Sequence, residues 1–173
     1  ALFAAVRDFD ARFSAKKKER KLLEFSDFEH QALRLLRTPD GVCTPLCQSI
    51  RQSYAAVMVD EYQDTNALQD AIYRCLASPA GDDLFLVGDL KQSIYRFRQA
   101  DPSIFRAKLN AWAPLPSGTA RPRPEEGTAG GNALLALDAN FRSAPQVVAG
   151  INFIFEQLMT PQLGDTAYGD GQR

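Results

Sequence analysis

The sequence predicts an α/β fold, a mainly parallel sheet flanked by helices, and two stretches carry the prediction. Ala55-Ala56-Val57-Met58-Val59 is an apolar run of strand length that stops at Asp60-Glu61, with Gln63 and Asp64 close behind. Leu84-Phe85-Leu86-Val87 repeats the pattern, passing through Gly88 into Asp89 and then Lys91-Gln92-Ser93. A continuous apolar run is how a parallel strand buried on both faces reads. Functional groups gather at the carboxyl ends of such strands. A third observation supports the class: segments of helical periodicity lie before, between and after the two strands.

Taken in order, Leu2, Val6, Phe9 and Phe13 recur at helical spacing, a stripe expected to be packing surface. Lys16-Lys17-Lys18-Glu19-Arg20-Lys21 follows as a solvated face, with a DNA contact as the rival reading. A second helix is expected from Asp27 to Leu36, capped by Ser26 or Asp27 and stopped by Thr38-Pro39-Asp40-Gly41. Pro45 to Tyr54 should be helical and lead into a strand at Ala56–Val59. Asp64-Thr65-Asn66 reads as the N-cap region of a helix reaching about Leu76, which Ser78-Pro79-Ala80-Gly81 closes. The second strand is Leu84–Val87, and a helix from about Pro102 to Trp112 comes after it. Residues 113–132 are rich in Pro and Gly and read as a flexible surface linker. A third strand at Ala133–Leu137 and a helix at Ala144–Met159 complete the chain, without an internal repeat.

At 173 residues, 45% apolar and 24% charged, the chain has the size and composition of one soluble globular domain. Its net charge of -1 gives no global pull on nucleic acid, so any DNA contact has to be local. Cys43, Cys47 and Cys75 lack paired metal-ligand spacing and read as reduced cysteines of a cytosolic protein. No apolar run reaches membrane-spanning length, and no signal-peptide pattern opens the chain. The chain begins at Ala1 inside a helical pattern and is expected to be a piece of a longer protein.

Two strands that each end in acid suggest a nucleotide-phosphate and magnesium site. Acids after a strand also serve merely as helix caps, so a single pair decides little. Three segments in order are more specific. They are Asp60-Glu61-Tyr62-Gln63-Asp64-Thr65-Asn66, Gly88-Asp89-Leu90-Lys91-Gln92-Ser93-Ile94-Tyr95-Arg96-Phe97-Arg98, and Asn140-Phe141-Arg142-Ser143. Here the sequence resembles the superfamily 1 DNA helicases of the UvrD/Rep group, in which these segments match motifs II, III and IV. Arg96 to Phe105 and the tail Ile151 to Met159 are most similar to the AddA branch, found in bacterial ATP-dependent helicase/nucleases. UvrD-like members usually carry Trp in place of Phe97 and Gly in place of Gln99. The resemblance covers most of the chain, with Phe25 to Leu36 matching the helical segment before motif II.

The resemblance implies a truncated RecA-like P-loop NTPase core lacking the Walker A strand. Its divisions would be 1–24, from a preceding helical subdomain; 25–112, the partial core; 113–132, the linker; and 133–173, the motif IV strand and helix. ATP and Mg2+ are the implied cofactors. Asp60 then helps hold the magnesium, Glu61 stands beside it to activate the attacking water, and Gln63 and Asp64 couple neighbouring loops. Gln92 senses the γ-phosphate, Arg142 reaches it as an arginine finger, and Phe141 stacks on adenine. Tyr95 and Phe97, flanked by Arg96 and Arg98, form the platform for single-stranded DNA. Several of these roles have a plainer rival: a surface acid for Glu61, a structural role for Gln63 and Asp64, and core packing for Phe141. A buried aromatic pair is the rival for Tyr95 and Phe97.

No Gly-x4-Gly-Lys-Ser/Thr segment occurs in the chain, so the phosphate cradle is expected elsewhere and the piece alone is expected to be inactive. The implied partners are single-stranded and duplex DNA and an AddB-type nuclease subunit, in repair of broken ends and recombination. The implied missing strand would leave an exposed sheet edge. A competing reading is a metal-dependent nuclease using Asp60, Asp89 and Lys91. The two differ in geometry. The helicase reading asks Asp60, Glu61, Gln92 and Arg142 to converge, and the nuclease reading asks Asp60, Asp89 and Lys91 to cluster.

Overall fold

Strands β1 (Val57–Val59) and β2 (Leu84–Leu86) pair in parallel, with Met58 opposite Phe85. The computed structural model describes residues 1–115, 132–137, 139–160 and 168. The ladder runs beyond the strands: Val87 N–H donates to Val59 O and Tyr62 N–H donates to Val87 O, both at 2.8 Å. A parallel pair needs a crossover. It is supplied by α4 (Ala67–Leu76), entered through a 3₁₀ turn at Tyr62–Asp64.

Helices α2 (Phe25–Leu36), α3 (Pro45–Ser53) and α4 pack around buried Leu36, Cys47 and Cys75, with Leu33, Ile50 and Ile72 beside them. The three cysteines therefore meet, as free thiols, in one apolar cluster. Cys47 Sγ–H donates to Cys75 O at 2.9 Å. Burial pushes the Cys47 thiol up to about 11, so it behaves as a core group. Helix α5 (Pro102–Ala111), capped by Asp101, packs Phe105 against Tyr62.

Several expectations are corrected. The two strands are not covered on both faces, since Met58 is 75% and Phe85 56% exposed. No described element lies over that face, whereas Val57, Val59, Leu84 and Leu86 on the other are partly buried. The expected third strand does not join the pair. Only Ala133–Leu134 forms a strand, β4, and it pairs in parallel with β3 (Ala113–Pro114) as a separate ribbon. The chain leaving α5 satisfies that backbone locally, with Leu115 N–H donating to Leu134 O at 2.7 Å. Strand β3 thus occupies the expected start of the linker. Residues 116–131, the rest of that linker, lie outside the described residues.

Helix α1 (Leu2–Arg20) buries none of its residues, so its apolar stripe faces solvent rather than a partner element. Lys17, read as part of a solvated basic run, is instead turned inward. Its Nζ lies 2.8 Å from Asp27 Oδ1, 3.0 Å from Glu24 Oε2 and 4.8 Å from the Phe13 ring centroid. Helix α2 starts at Phe25, two residues early, and Asp27 in its first turn accepts from Glu24 N–H at 2.8 Å. That bond, then Lys17, holds the Asp27 carboxyl below the usual carboxylate range. Helix α6 (Pro145–Leu158) matches its expected span within one residue at each end. No helix among the described residues is long and apolar enough to cross a membrane.

Candidate active site at the carboxyl ends of the paired strands

Beyond Val59 the backbone makes a turn that few side chains favour. Glu61 adopts φ 51 and ψ 39, the left-handed region. A non-glycine residue there costs on the order of 1–3 kcal/mol and persists only where its surroundings over-determine it. Two bonds bracket it: Asp60 Oδ1 accepts from Glu61 N–H, and Tyr62 N–H reaches Val87 O, each at 2.8 Å. Both acids remain exposed.

Gln63 is 1% exposed and joins the two strand ends. Its Nε2 donates to Glu61 Oε2 at 2.6 Å and lies 3.5 Å from Asp64 Oδ2, while its Oε1 accepts from Asp89 N–H at 3.0 Å. Asp89 in turn caps the 3₁₀ turn Leu90–Gln92, accepting from Lys91 N–H at 2.9 Å and from Gln92 Nε2 at 3.2 Å. Glu61, Gln63, Asp89 and Gln92 thus form one hydrogen-bonded chain, with Asp60 at its head. Burial, then the charge of Glu61, pushes the Asp64 carboxyl up, and its Oδ1 is buried without a partner among the described residues.

The bridge leaves no room at Gly88. A Cβ there would lie 2.6 Å from Gln63 Oε1, 3.1 Å from Phe105 Cε1 and 3.2 Å from the Gln63 backbone nitrogen. Gln63 is bonded at both ends of its amide and cannot swing aside freely. Gly88→Ala is therefore expected to destabilise the fold by about 1–3 kcal/mol. The urea midpoint checks this, and a shift below a tenth of that size would mean that the amide relaxes.

Tyr62, to which the sequence pattern assigned no role, anchors the turn. It is buried, with Phe105 edge-on at 5.6 Å and Tyr73 at 6.4 Å between ring centroids. Its hydroxyl donates to Asp70, which also meets Arg74 Nε at 2.9 Å and Lys108 Nζ at 3.5 Å. Burial works to raise the Asp70 carboxyl, yet Tyr62, Lys108 and Arg74 together hold it below its usual range. Burial pushes the Tyr62 hydroxyl far up, so it stays a donor. Asp70 and Arg74, four apart on a helix, were the available sequence signal.

Tyr95 and Phe97 come together across a tight turn. The chain closes a 3₁₀ turn at Arg96–Arg98 and leaves through Gln99 at φ 69. The ring centroids are 5.9 Å apart, with the Arg98 guanidinium 5.3 Å from Tyr95 and 5.6 Å from Phe97. At 37% and 76% exposure these rings are a surface feature rather than a buried pair. Phe141 is 95% exposed, not packed in a core, and Arg142 is exposed as well. The hydrogen bonds described for their segment are local: Asn140 Oδ1 accepts from Arg142 and Ser143 N–H, each at 2.9 Å. Among the described residues no hydrogen bond or ion pair is seen between Phe141 or Arg142 and Glu61 or Gln92.

Of the nuclease set, only Asp89 and Lys91 are seen to approach each other. Asp89 is engaged in capping, Lys91 Nζ lies 3.6 Å from Asp89 Oδ1 and 5.9 Å from the Tyr168 ring, and Asp60 bonds its own neighbour. No group of three or more His, Cys, Asp or Glu side chains among the described residues is placed to hold a metal ion. Asp60 and Glu61 do fit magnesium in their chemistry. Mg2+ takes hard oxygen donors and commonly keeps its waters, using one or two carboxylates alongside substrate phosphates.

Comparison with known proteins bears on the same segments. The sequence model of the UvrD/REP helicase N-terminal domain matches residues 3–112, which contain both strand ends and the aromatic turn. The chain is 40% identical over 169 residues to the A subunit of the ATP-dependent helicase/nuclease of Staphylococcus aureus strain JH9. It is similar to the same degree to the protein of that name from strain NCTC 8325 / PS 47. Each alignment covers 95% of this chain and 13% of the relative, so the chain spans about an eighth of the length of these proteins.

Proposed function

The chain belongs to the UvrD/REP helicase N-terminal domain family, and on that footing we propose that it is part of an ATP-dependent DNA helicase/nuclease. In this reading it carries the metal- and water-handling half of a RecA-like ATPase centre. The observation that carries the proposal is the Gln63 amide, which ties Glu61 at the end of β1 to Asp89 at the end of β2. That bond holds an exposed carboxylate at a fixed place on the strand edge where phosphate ligands bind in parallel α/β sheets.

Asp60 would hold magnesium through water, and magnesium, when bound, neutralises charge on the terminal phosphates. Glu61 orients the attacking water and takes its proton, with Gln63 fixing the carboxylate. Gln92, held through Asp89, lies on the same chain of bonds and reads the γ-phosphate. Asp64, with one buried oxygen lacking a partner among the described residues, accepts a donor from another part of the longer protein. Arg142 would complete the charge stabilisation and Phe141 the adenine contact once nucleotide draws their exposed segment in. The Gly-Lys-Ser/Thr phosphate cradle comes from elsewhere in that protein. The chain would divide into the helical segment 1–24, the partial core 25–112, the linker and the motif IV region.

Tyr95 and Phe97 are the surface for single-stranded DNA, with Arg96 and Arg98 for its backbone. Base stacking on an aromatic side chain contributes roughly 1–3 kcal/mol per base and tolerates any sequence. In the longer protein, Phe97→Ala is expected to weaken single-stranded DNA binding by roughly 5- to 150-fold. The loss should be similar for any base composition. Fluorescence anisotropy with labelled oligonucleotides measures it, and unchanged affinity would remove Phe97 from the platform. The proposed partners are duplex ends and an AddB-type nuclease subunit, in a bacterial cytoplasmic complex acting in double-strand-break repair and recombination. DNA-stimulated ATP hydrolysis by the longer protein is the test of the whole reading.

A further inference from the structure

Glu29 lies in the second turn of α2, half-buried, and its carboxylate is spent on two side chains of another element. Asn66 Nδ2 donates to it at 3.1 and 3.3 Å, and Gln69 Nε2 donates at 2.7 Å. Those two residues already bond each other's backbone at the start of α4. Asn66 Oδ1 accepts from Gln69 N–H at 2.9 Å, and Gln69 Oε1 accepts from Asn66 N–H at 3.2 Å. This reciprocal cap uses the oxygen of each amide and leaves both NH2 ends in need of an acceptor. One ionised carboxylate accepts both, and its charge also suits the positive end of the helix dipole.

The helix start that Glu29 grips is continuous with the turn bearing the acids. Thr65, next to Asn66, is buried; its N–H donates to Tyr62 O at 3.2 Å, and its carbonyl accepts from Asp101 N–H at 3.0 Å. The strained Glu61 backbone lies at the other end of that same short turn. A left-handed glutamate needs both flanks held. The β1–β2 ladder holds one flank and the α4 cap holds the other.

We propose that Glu29 is a positioning residue for the Glu61 carboxylate, fixing the start of α4 so that Gln63 bridges Glu61 and Asp89. Its part in turnover rests on the ATPase reading above, whereas its structural effect does not. In the chain itself, Glu29→Ala should raise hydrogen exchange at the Tyr62, Asp64 and Thr65 amides on the order of tenfold. The α2–α3–α4 cluster should keep its protection. Glu29→Gln, which retains one acceptor oxygen, should fall between Glu29→Ala and the parent chain. Unchanged exchange at Tyr62–Thr65, or an equal rise throughout the three helices, would overturn the proposal. In the longer protein, Glu29→Ala should lower kcat for ATP hydrolysis on the order of tenfold with KM for ATP within about twofold. Glu29→Gln should restore part of it. Glu61→Gln is the control: if its turnover stays within about threefold of the parent, Glu61 is not the base, and the exchange measurement alone judges Glu29.

Discussion

Glu61→Gln is expected to lower DNA-stimulated ATP turnover of the longer protein by about 10²–10⁴-fold, the usual contribution of a positioned general base. Nucleotide binding should stay within severalfold. The substitution is close to a pure change of basicity. Glutamine has the same length and keeps an oxygen to accept from Gln63 Nε2, which now donates to Glu61 Oε2 at 2.6 Å. The left-handed backbone at φ 51 is no worse for Gln than for Glu. The fold should therefore survive with unchanged thermal stability, and a loss of turnover can be assigned to chemistry. Steady-state ATPase assays beside equilibrium nucleotide titration make the separation. Turnover within about threefold of the parent would remove Glu61 from the role of base.

The second large effect is on stability. Tyr62→Ala is expected to cost about 3–5 kcal/mol, the range for truncating a buried aromatic side chain. Three losses combine. The ring leaves its contacts with Phe105 and Tyr73, the Lys108 ammonium loses the ring face it covers at 5.4 Å, and Asp70 loses a donor. A domain stable by about 5–15 kcal/mol has little margin for such a loss. Tyr62→Phe keeps the ring and removes only the hydroxyl, and should cost about 1–2 kcal/mol. Urea unfolding followed by circular dichroism orders the two variants. Equal small shifts would mean that the turn is held by its backbone bonds and not by this side chain.

The parts of the fold legible in the sequence were those governed by local chemistry. Pro45 and Pro102 mark the first turns of α3 and α5. The apolar runs ending in acid mark both strands and set their parallel relation through the intervening helix. Identity at the motif level was legible too, because Asp60 to Asn66 and Gly88 to Arg98 keep their spacing. Long-range partnerships were not legible. That Lys17 folds back onto Glu24 and Asp27 depends on the left-handed Lys21 that ends α1, which composition does not reveal. That Ala133–Leu134 pairs with Ala113–Pro114 depends on where α5 delivers the chain. Gln63 could be named as a coupling residue, yet which groups it couples follows only from the register of β1 against β2. The 3₁₀ turn at Arg96–Arg98 that brings the Tyr95 and Phe97 rings together was not legible either.

The backbone at position 61 sets two kinds of selection against each other. A residue with φ 51 is one where Gly or Asn would relieve conformational strain. Measured by thermal robustness alone, glutamate is a poor choice there. Redesign guided only by stability would tend to replace the side chain proposed to activate the attacking water. Engineering of this segment for expression or crystallisation should therefore hold Glu61 fixed. Stability is better sought at positions remote from the turn, where robustness and chemistry do not compete.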